Sequence, residues 1–261
     1  MLSDGNLPMT NILDLPPPAP GTRLHYGAGE LQFGELRVPP GTGPFPVVVN
    51  IHGGFWRAQY DLCHASHLCA ALTGAGCSTW NVEYRRVGHS GGGWPGAFDD
   101  VVGAFQFLPE LAGKFPLDLR RVVVMGHSAG GQLALCLAAR EPSLRGAIAL
   151  APVSDLLRAH ELRLGAGAVE NFLGAPPEPP AENWRAASPL ELSIRVPQRL
   201  IHAALDDVVP ISLSRDYVAA KRARGENAQL IELAGADHFD VIDPRSKAWP
   251  VVQRTVLELL G

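Results

Sequence analysis

Cysteine is scarce: four residues in 261 (Cys63, Cys69, Cys77 and Cys136) are too few for a disulfide scaffold, and they read as buried thiols. No apolar run approaches the roughly 18 residues of a membrane-spanning helix. Neither sign of charge dominates. With 22 Lys+Arg, 26 Asp+Glu and a formal net charge of -4, the chain has no basic footprint for nucleic acid or an anionic membrane. Charged residues make up 18% against 46% hydrophobic, which excludes the composition of a disordered chain. The first 20 residues have neither the basic nor the apolar region of an export signal, so a cytoplasmic enzyme is the expectation. No internal repeat and no second core is visible, and one domain over 1–261 is expected.

What is present is a succession of strand and helix signals punctuated by 28 Gly and 23 Pro. Residues 1–20 read as an N-terminal arm that Pro16, Pro17 and Pro18 hold extended. Strands are expected at 31–38, 47–51, 77–84, 121–126, 146–151, 198–204 and 228–233. The run VVVNI at 47–51 is apolar enough to be covered on both faces. Helices are expected at 61–73, from Trp94 and Pro95 onward, and at 128–140, 211–224 and about 245–260. The alternation implies a mainly parallel sheet with helices on both faces. The exception is an irregular stretch from about 152 to 196 that carries Phe172, Trp184 and PPEPP at 176–180. It reads as a small cap over a site, with a plain surface insertion as the alternative.

Two motifs carry chemistry. GHSAG at 126–130 places Ser128 between a strand and a helix, the context of a nucleophile elbow. HGGFW at 52–56 follows the buried strand 47–51, where a glycine loop lets backbone N–H groups approach a developing oxyanion. Gly54, Phe55 and, after the nucleophile, Ala129 are the expected donors. A serine nucleophile needs a base and an orienting carboxylate further along the chain. Of the later histidines, His160 lies in the irregular stretch and His202 inside a strand, whereas His238 follows the strand at 228–233 and is the expected base. The acid lies in HAALDDVVP at 202–210. Asp206, first after the strand, is favoured over Asp207.

Cys63, His64, His67 and Cys69 resemble metal ligands, but helical spacing points residues 63 and 69 to different faces, so no metal is expected. Trp56, Trp94, Phe172 and Trp184 are candidate substrate-binding aromatics alongside Phe55; ordinary core positions are the alternative for Trp56 and Trp94.

HGGFW, GHSAGG, the D-x-V-V-P after the strand and a late D-H-F, in this order, resemble the α/β-hydrolase superfamily over roughly residues 30–260. NVEYR at 81–85, GGGWPGAFDDV at 91–101 and GADHFDVI at 235–242 look most like its kynurenine formamidase and small carboxylesterase branch. The resemblance implies an α/β-hydrolase fold with a small cap and a Ser128–Asp206–His238 triad. It further implies hydrolysis of N-formyl-L-kynurenine or short-chain esters without metal or organic cofactor. The expected partner is therefore a small ester or formamide. A homodimer is left open, since no surface stripe demands one.

Overall fold

Period-two alternation in the two central strands decides the architecture. In β3 (Phe45–Ile51), Val47, Val49 and Ile51 enter the hydrophobic cluster on one face of the sheet, and Val48 enters the cluster on the other. In β5 (Leu117–His127), Val122 and Val124 take the first face and Val123 and Met125 the second. Strands that bury both faces need helices on both. The computed structural model, which describes residues 10–174 and 182–261, supplies them.

The remaining strands are β1 (Thr22–His25), β2 (Phe33–Arg37), β4 (Ser78–Val82), β6 (Gly146–Leu150), β7 (Gln198–Ala203) and β8 (Ala228–Leu233). They form one eight-stranded sheet in the order β1-β2-β4-β3-β5-β6-β7-β8. β1 and β2 pair antiparallel with their neighbours and all the other pairings are parallel. The helices are α1 (Ser66–Gly74), α2 (Gly96–Gln106), α3 (Leu108–Ala112), α4 (Ala129–Arg140), α5 (Leu156–Glu161), α6 (Ala168–Leu173), α7 (Glu182–Ala187), α8 (Ser212–Ala223) and α9 (Trp249–Leu260). Leu68 and Leu72 of α1 and Val252 and Val256 of α9 fill the core on one face; Val101 of α2, Leu133 of α4 and Leu213 of α8 fill it on the other. Among the described residues no helix is long and apolar enough to cross a membrane.

Some details depart from the expectations. β1 is an exposed four-residue edge strand with too little apolar alternation to be read. The helix expected at 61–73 opens as a 3-10 turn over Leu62–Ala65 before α1 begins. The last helix starts at Trp249, where Pro250 falls in its first turn, the one place a helix accepts proline. The stretch 152–196 is more regular than expected, since it contains α5, α6 and α7; PPEPP lies outside the described residues. Within the described part of the N-terminal arm, Ile12 is buried in the α1/α9 core and Arg245 Nη2 donates to Thr10 O at 2.8 Å.

The order β4-β3-β5 has a functional consequence. The chain leaves β3 to one side and returns on the other, so the carboxyl ends of β3 and β5 flank the point where the winding reverses. Open α/β sheets bind ligands at such a point.

Candidate active site

The GHSAG segment makes the turn from β5 into α4. Ser128 sits at φ 55, ψ -120, a conformation that L residues adopt at a cost of about 1–3 kcal/mol. The glycines two residues to either side have no room for side chains. A Cβ on Gly126 would lie 2.2 Å from Gly130 O, and one on Gly130 would lie 2.2 Å from Ile51 O. The glycines thus wedge the start of α4 against the end of β3. The Ser128 N–H donates to Leu150 O at 2.8 Å, which ties the turn to β6. Ser128 is buried.

The HGGFW loop leaves β3 beside this turn with three successive positive φ values: 109 at Gly54, 49 at Phe55 and 56 at Trp56. Among the described residues, the N–H groups of Gly54, Phe55 and Ala129 donate to no protein acceptor. A buried polar network holds the loop. Glu83 Oε1 lies 3.2 Å from His52 Nε2 and 2.9 Å from Arg86 Nη1, while Glu83 Oε2 accepts from Leu62 N at 3.1 Å. The Tyr84 hydroxyl donates to His52 O at 2.9 Å, and its ring stacks on His52. Burial works to raise the Glu83 carboxyl, but His52, Arg86 and the Tyr84 N–H outweigh it and hold it below the usual carboxylate range.

His238 and Asp206 come from the loops after β8 and β7. His238 Nδ1 lies 2.7 Å from Asp206 Oδ2, with both side chains buried. Asp206 Oδ1 accepts from the N–H groups of Val208 at 3.0 Å and Val209 at 2.7 Å. Burial would raise this carboxyl. Hydrogen bonds from His202 and His238, the latter's charge and the Val209 N–H instead pull it well below the ordinary value, so it is ionised at neutral pH. The adjacent Asp207 is exposed to solvent. His202, expected to be a packed strand histidine, is fully buried and also reaches the acid: its Nε2 is 3.2 Å from Asp206 Oδ2 and 2.8 Å from Val209 O. His160 lies away from this group in α5, where it pairs with Glu170 at 3.0 Å.

Trp56, Phe172 and Trp184 are buried rather than forming a wall open to solvent. Trp56 is 0% exposed and lies parallel to Phe172 at 4.4 Å between ring centroids, and Trp94 meets Phe172 edge-on at 6.1 Å. Trp184 is buried against His160. Trp56 Nε1 donates to Gln132 Oε1 at 3.0 Å, as a buried indole must. Trp94 and Phe55 are only partly buried. No sequence signal singles out Gln132, and Glu83 and Tyr84 are visible only as part of NVEYR, with no role assigned, because their contacts with His52 lie about 30 residues away. Among the described residues no group of three or more His, Cys, Asp or Glu side chains is arranged to hold a metal ion; Cys63 is exposed and Cys69 buried.

The chain is similar to known proteins over most of its length. It is 26% identical over 248 residues to the esterase LipC of Mycobacterium tuberculosis, an alignment covering 85% of this chain and 60% of LipC. It is 32% identical over 93 residues to the carboxylesterase NlhH of the same organism, covering 36% of this chain and 28% of that one. The chain thus spans less than two thirds of the length of these curated relatives. Among solved structures, a truncated carbohydrate esterase from gut microbiota superposes with a TM-score of 0.81 at 17% identity, covering 94% of this chain and 97% of that one. A propionate-bound esterase of Thermogutta terrifontis superposes at 0.75 and 20% identity, covering 93% and 94%. Both likenesses concern the fold. The family model BD-FAE matches residues 36–220, more than half of the sequence. The chain therefore belongs to the BD-FAE family and has the α/β-hydrolase fold.

Proposed function

We propose that this protein is a serine hydrolase that cleaves small esters or formamides through an acyl-enzyme. The observation that carries the reading is the 2.7 Å contact between His238 Nδ1 and Asp206 Oδ2, in loops at the same sheet end as the strained Ser128 turn. In this reading His238 Nε2 takes the proton of the Ser128 hydroxyl as Oγ attacks the substrate carbonyl. The N–H groups of Gly54, Phe55 and Ala129 receive the oxyanion. His238 then protonates the departing alcohol or amine, and water, activated by the same imidazole, releases the acyl group. Asp206 fixes the imidazole tautomer and stabilises its charged form. No cofactor takes part. Trp94 and Phe55 offer aromatic faces to a substrate, with Trp56 and Phe172 packed behind them.

The names of the relatives favour esters over formamides. LipC and NlhH are esterases, and a carbohydrate esterase shares the fold. A formamide such as N-formyl-L-kynurenine is the finer alternative suggested by the sequence motifs. The test is steady-state hydrolysis of p-nitrophenyl acetate, butyrate and octanoate beside N-formyl-L-kynurenine, with Ser128→Ala as blank. A kcat/KM for the formamide within about 10⁴–10⁸ M⁻¹s⁻¹ would favour the formamidase reading. Activity confined to short esters would make the protein a carboxylesterase. If fluorophosphonate leaves Ser128 unlabelled and every substrate is untouched, the fold serves as a binding module instead.

A further inference from the structure

Beside the His238–Asp206 pair runs a second line of imidazoles. His127, the residue between Gly126 and Ser128, points its Nε2 at His238 O, 2.9 Å away, and its Nδ1 at His64 Nε2, 2.8 Å away. The rings are packed, with centroids 4.5 Å apart for His127 and His238 and 5.0 Å for His127 and His64. Phe239 covers His127 at 6.1 Å, and Gly53 lies so close that a Cβ there would come within 3.1 Å of both His127 Nδ1 and His64 Nε2.

The protons on this line follow from one carbonyl. His238 O can only accept, so His127 Nε2 carries the hydrogen. Burial, reinforced by the neighbouring histidines, keeps both His127 and His64 neutral: it holds His127 well below its ordinary value and pulls His64 down to about 3. A neutral His127 then has a bare lone pair at Nδ1, and His64 Nε2 must donate to it. The opposite arrangement would set two lone pairs against each other at 2.8 Å. His64 Nδ1 is left as a buried acceptor with no partner among the described residues. That atom marks where the line ends.

We infer that His127 is a positioning residue for the base. By donating from Nε2 to the His238 carbonyl, with its own tautomer locked by His64, it fixes the peptide from which the His238 ring reaches Asp206. The inference rests on the proposed serine-hydrolase reading. The ring of His238 leaves its Cα through a single Cβ, so a shift of that peptide changes the aim of Nδ1 at Asp206 Oδ2 and of Nε2 at the nucleophile. Asp206 restrains one end of the imidazole and His127 restrains the backbone from which it hangs.

The experiment separates this hydrogen bond from packing. His127→Phe keeps a ring against His238 and removes the donor, whereas His127→Gln keeps an N–H in the place of Nε2–H. With p-nitrophenyl butyrate, His127→Phe should lower kcat by about 10–100-fold while KM stays within about threefold, as expected for misplacement of a reacting group. His127→Gln should recover most of the loss. In the wild-type protein, nitrogen-15 spectra of the imidazoles should find the proton on Nε2 of both His127 and His64. In His127→Phe the downfield resonance of the His238 Nδ1–H should broaden or move upfield. A His127 proton on Nδ1, or a His127→Phe enzyme with unaltered kcat and unaltered His238 resonance, would overturn the inference. The imidazole spectra need no turnover. A wild-type protein that hydrolyses nothing and leaves Ser128 unlabelled would overturn the serine-hydrolase reading instead, with the tautomers still on record.

Discussion

His202 and His238 meet at a single oxygen of Asp206: His238 Nδ1 is 2.7 Å from Oδ2 and His202 Nε2 is 3.2 Å from it. The second imidazole comes from inside β7, where Ser214 Oγ sits 2.7 Å from its Nδ1 and Val209 O 2.8 Å from its Nε2. The carboxylate is thus clamped from the core side by a fully buried ring and faces the loop ring on the other.

The clamp predicts coupling. A hydrogen bond to a charged group contributes about 1.5–3 kcal/mol. His202→Phe and Asp206→Asn should each destabilise the protein in urea titrations at pH 7. The double variant should lose less than the sum, with an interaction energy of about 0.5–3 kcal/mol. Strict additivity would mean that the 3.2 Å contact contributes nothing.

The two adjacent aspartates should behave differently. Asp206→Asn should lower kcat by about 10⁴-fold, because the amide favours the wrong imidazole tautomer. Asp207→Asn should leave kcat/KM within about twofold, since the Asp207 side chain is exposed. Steady-state kinetics on p-nitrophenyl butyrate measures both, and the reverse ranking would move the acid to Asp207.

Mild acid should destabilise the fold through the buried imidazoles. Free histidine titrates near pH 6.5, whereas burial, then the charges of His52 and His238, pull His64 down to about 3. Below about pH 6.5 the unfolded chain therefore binds more protons than the native one, and stability falls as pH falls. The slope is about 1.4 kcal/mol per pH unit for each such histidine. Urea midpoints between pH 7 and 4.5, above the carboxylate range, should show a shallower decline in His64→Gln than in wild type. Parallel declines would mean that His64 takes up its proton in the folded state as readily as in the unfolded one.

Glu83 is the anchor of the HGGFW loop, and removing it leaves Arg86 buried without its counter-charge. Glu83→Ala should cost about 3–5 kcal/mol by chemical denaturation. Glu83→Gln should cost less, because an amide oxygen can still accept from Leu62 N. Equal losses would place the effect in the charge rather than in the hydrogen bonds.

Trp56 separates support from contact. Trp56→Ala should destabilise by about 3–5 kcal/mol, the usual cost of deleting a buried tryptophan, with a fall in Tm as the readout. Trp94, only partly buried, should answer to Ala substitution chiefly through KM. A stable Trp56→Ala protein with raised KM would instead make Trp56 a substrate contact.

Much of this was legible in the chain because the information was local. VVVNI and VVVM are apolar enough to demand cover on both faces, and HGG and GHSAG mark the loops that leave them. Asp206 was preferred to Asp207 because it comes first after its strand, and the fold turns that residue inward. Other features depend on contacts that no short window contains. β1, an exposed edge, is held by its pairing with β2 and by Leu24 against the core. α5, α6 and α7, at six residues each, are too short to stand without packing. His64 and His127 are 63 residues apart, and the packing of the 3-10 turn at Leu62–Ala65 against β3 and β4 brings them together. The aromatics are visible as residues, but the stacking of Phe172 on Trp56, which buries both, is not.

The helices of the 152–196 stretch are tied to the HGGFW loop and to α4. Phe172 of α6 stacks on Trp56 of the HGGFW loop, and Arg57 donates to Gly165 O. Gln132 of α4 takes the Trp56 indole on one side and donates to Ala187 O at the end of α7 on the other. An exchange of the 152–196 segment for that of a relative would not be a swap of independent parts. Heredity in this fold would have to alter Trp56, Gln132 and the 152–196 helices together, so chimaeras should keep their fold only when these three travel as a set.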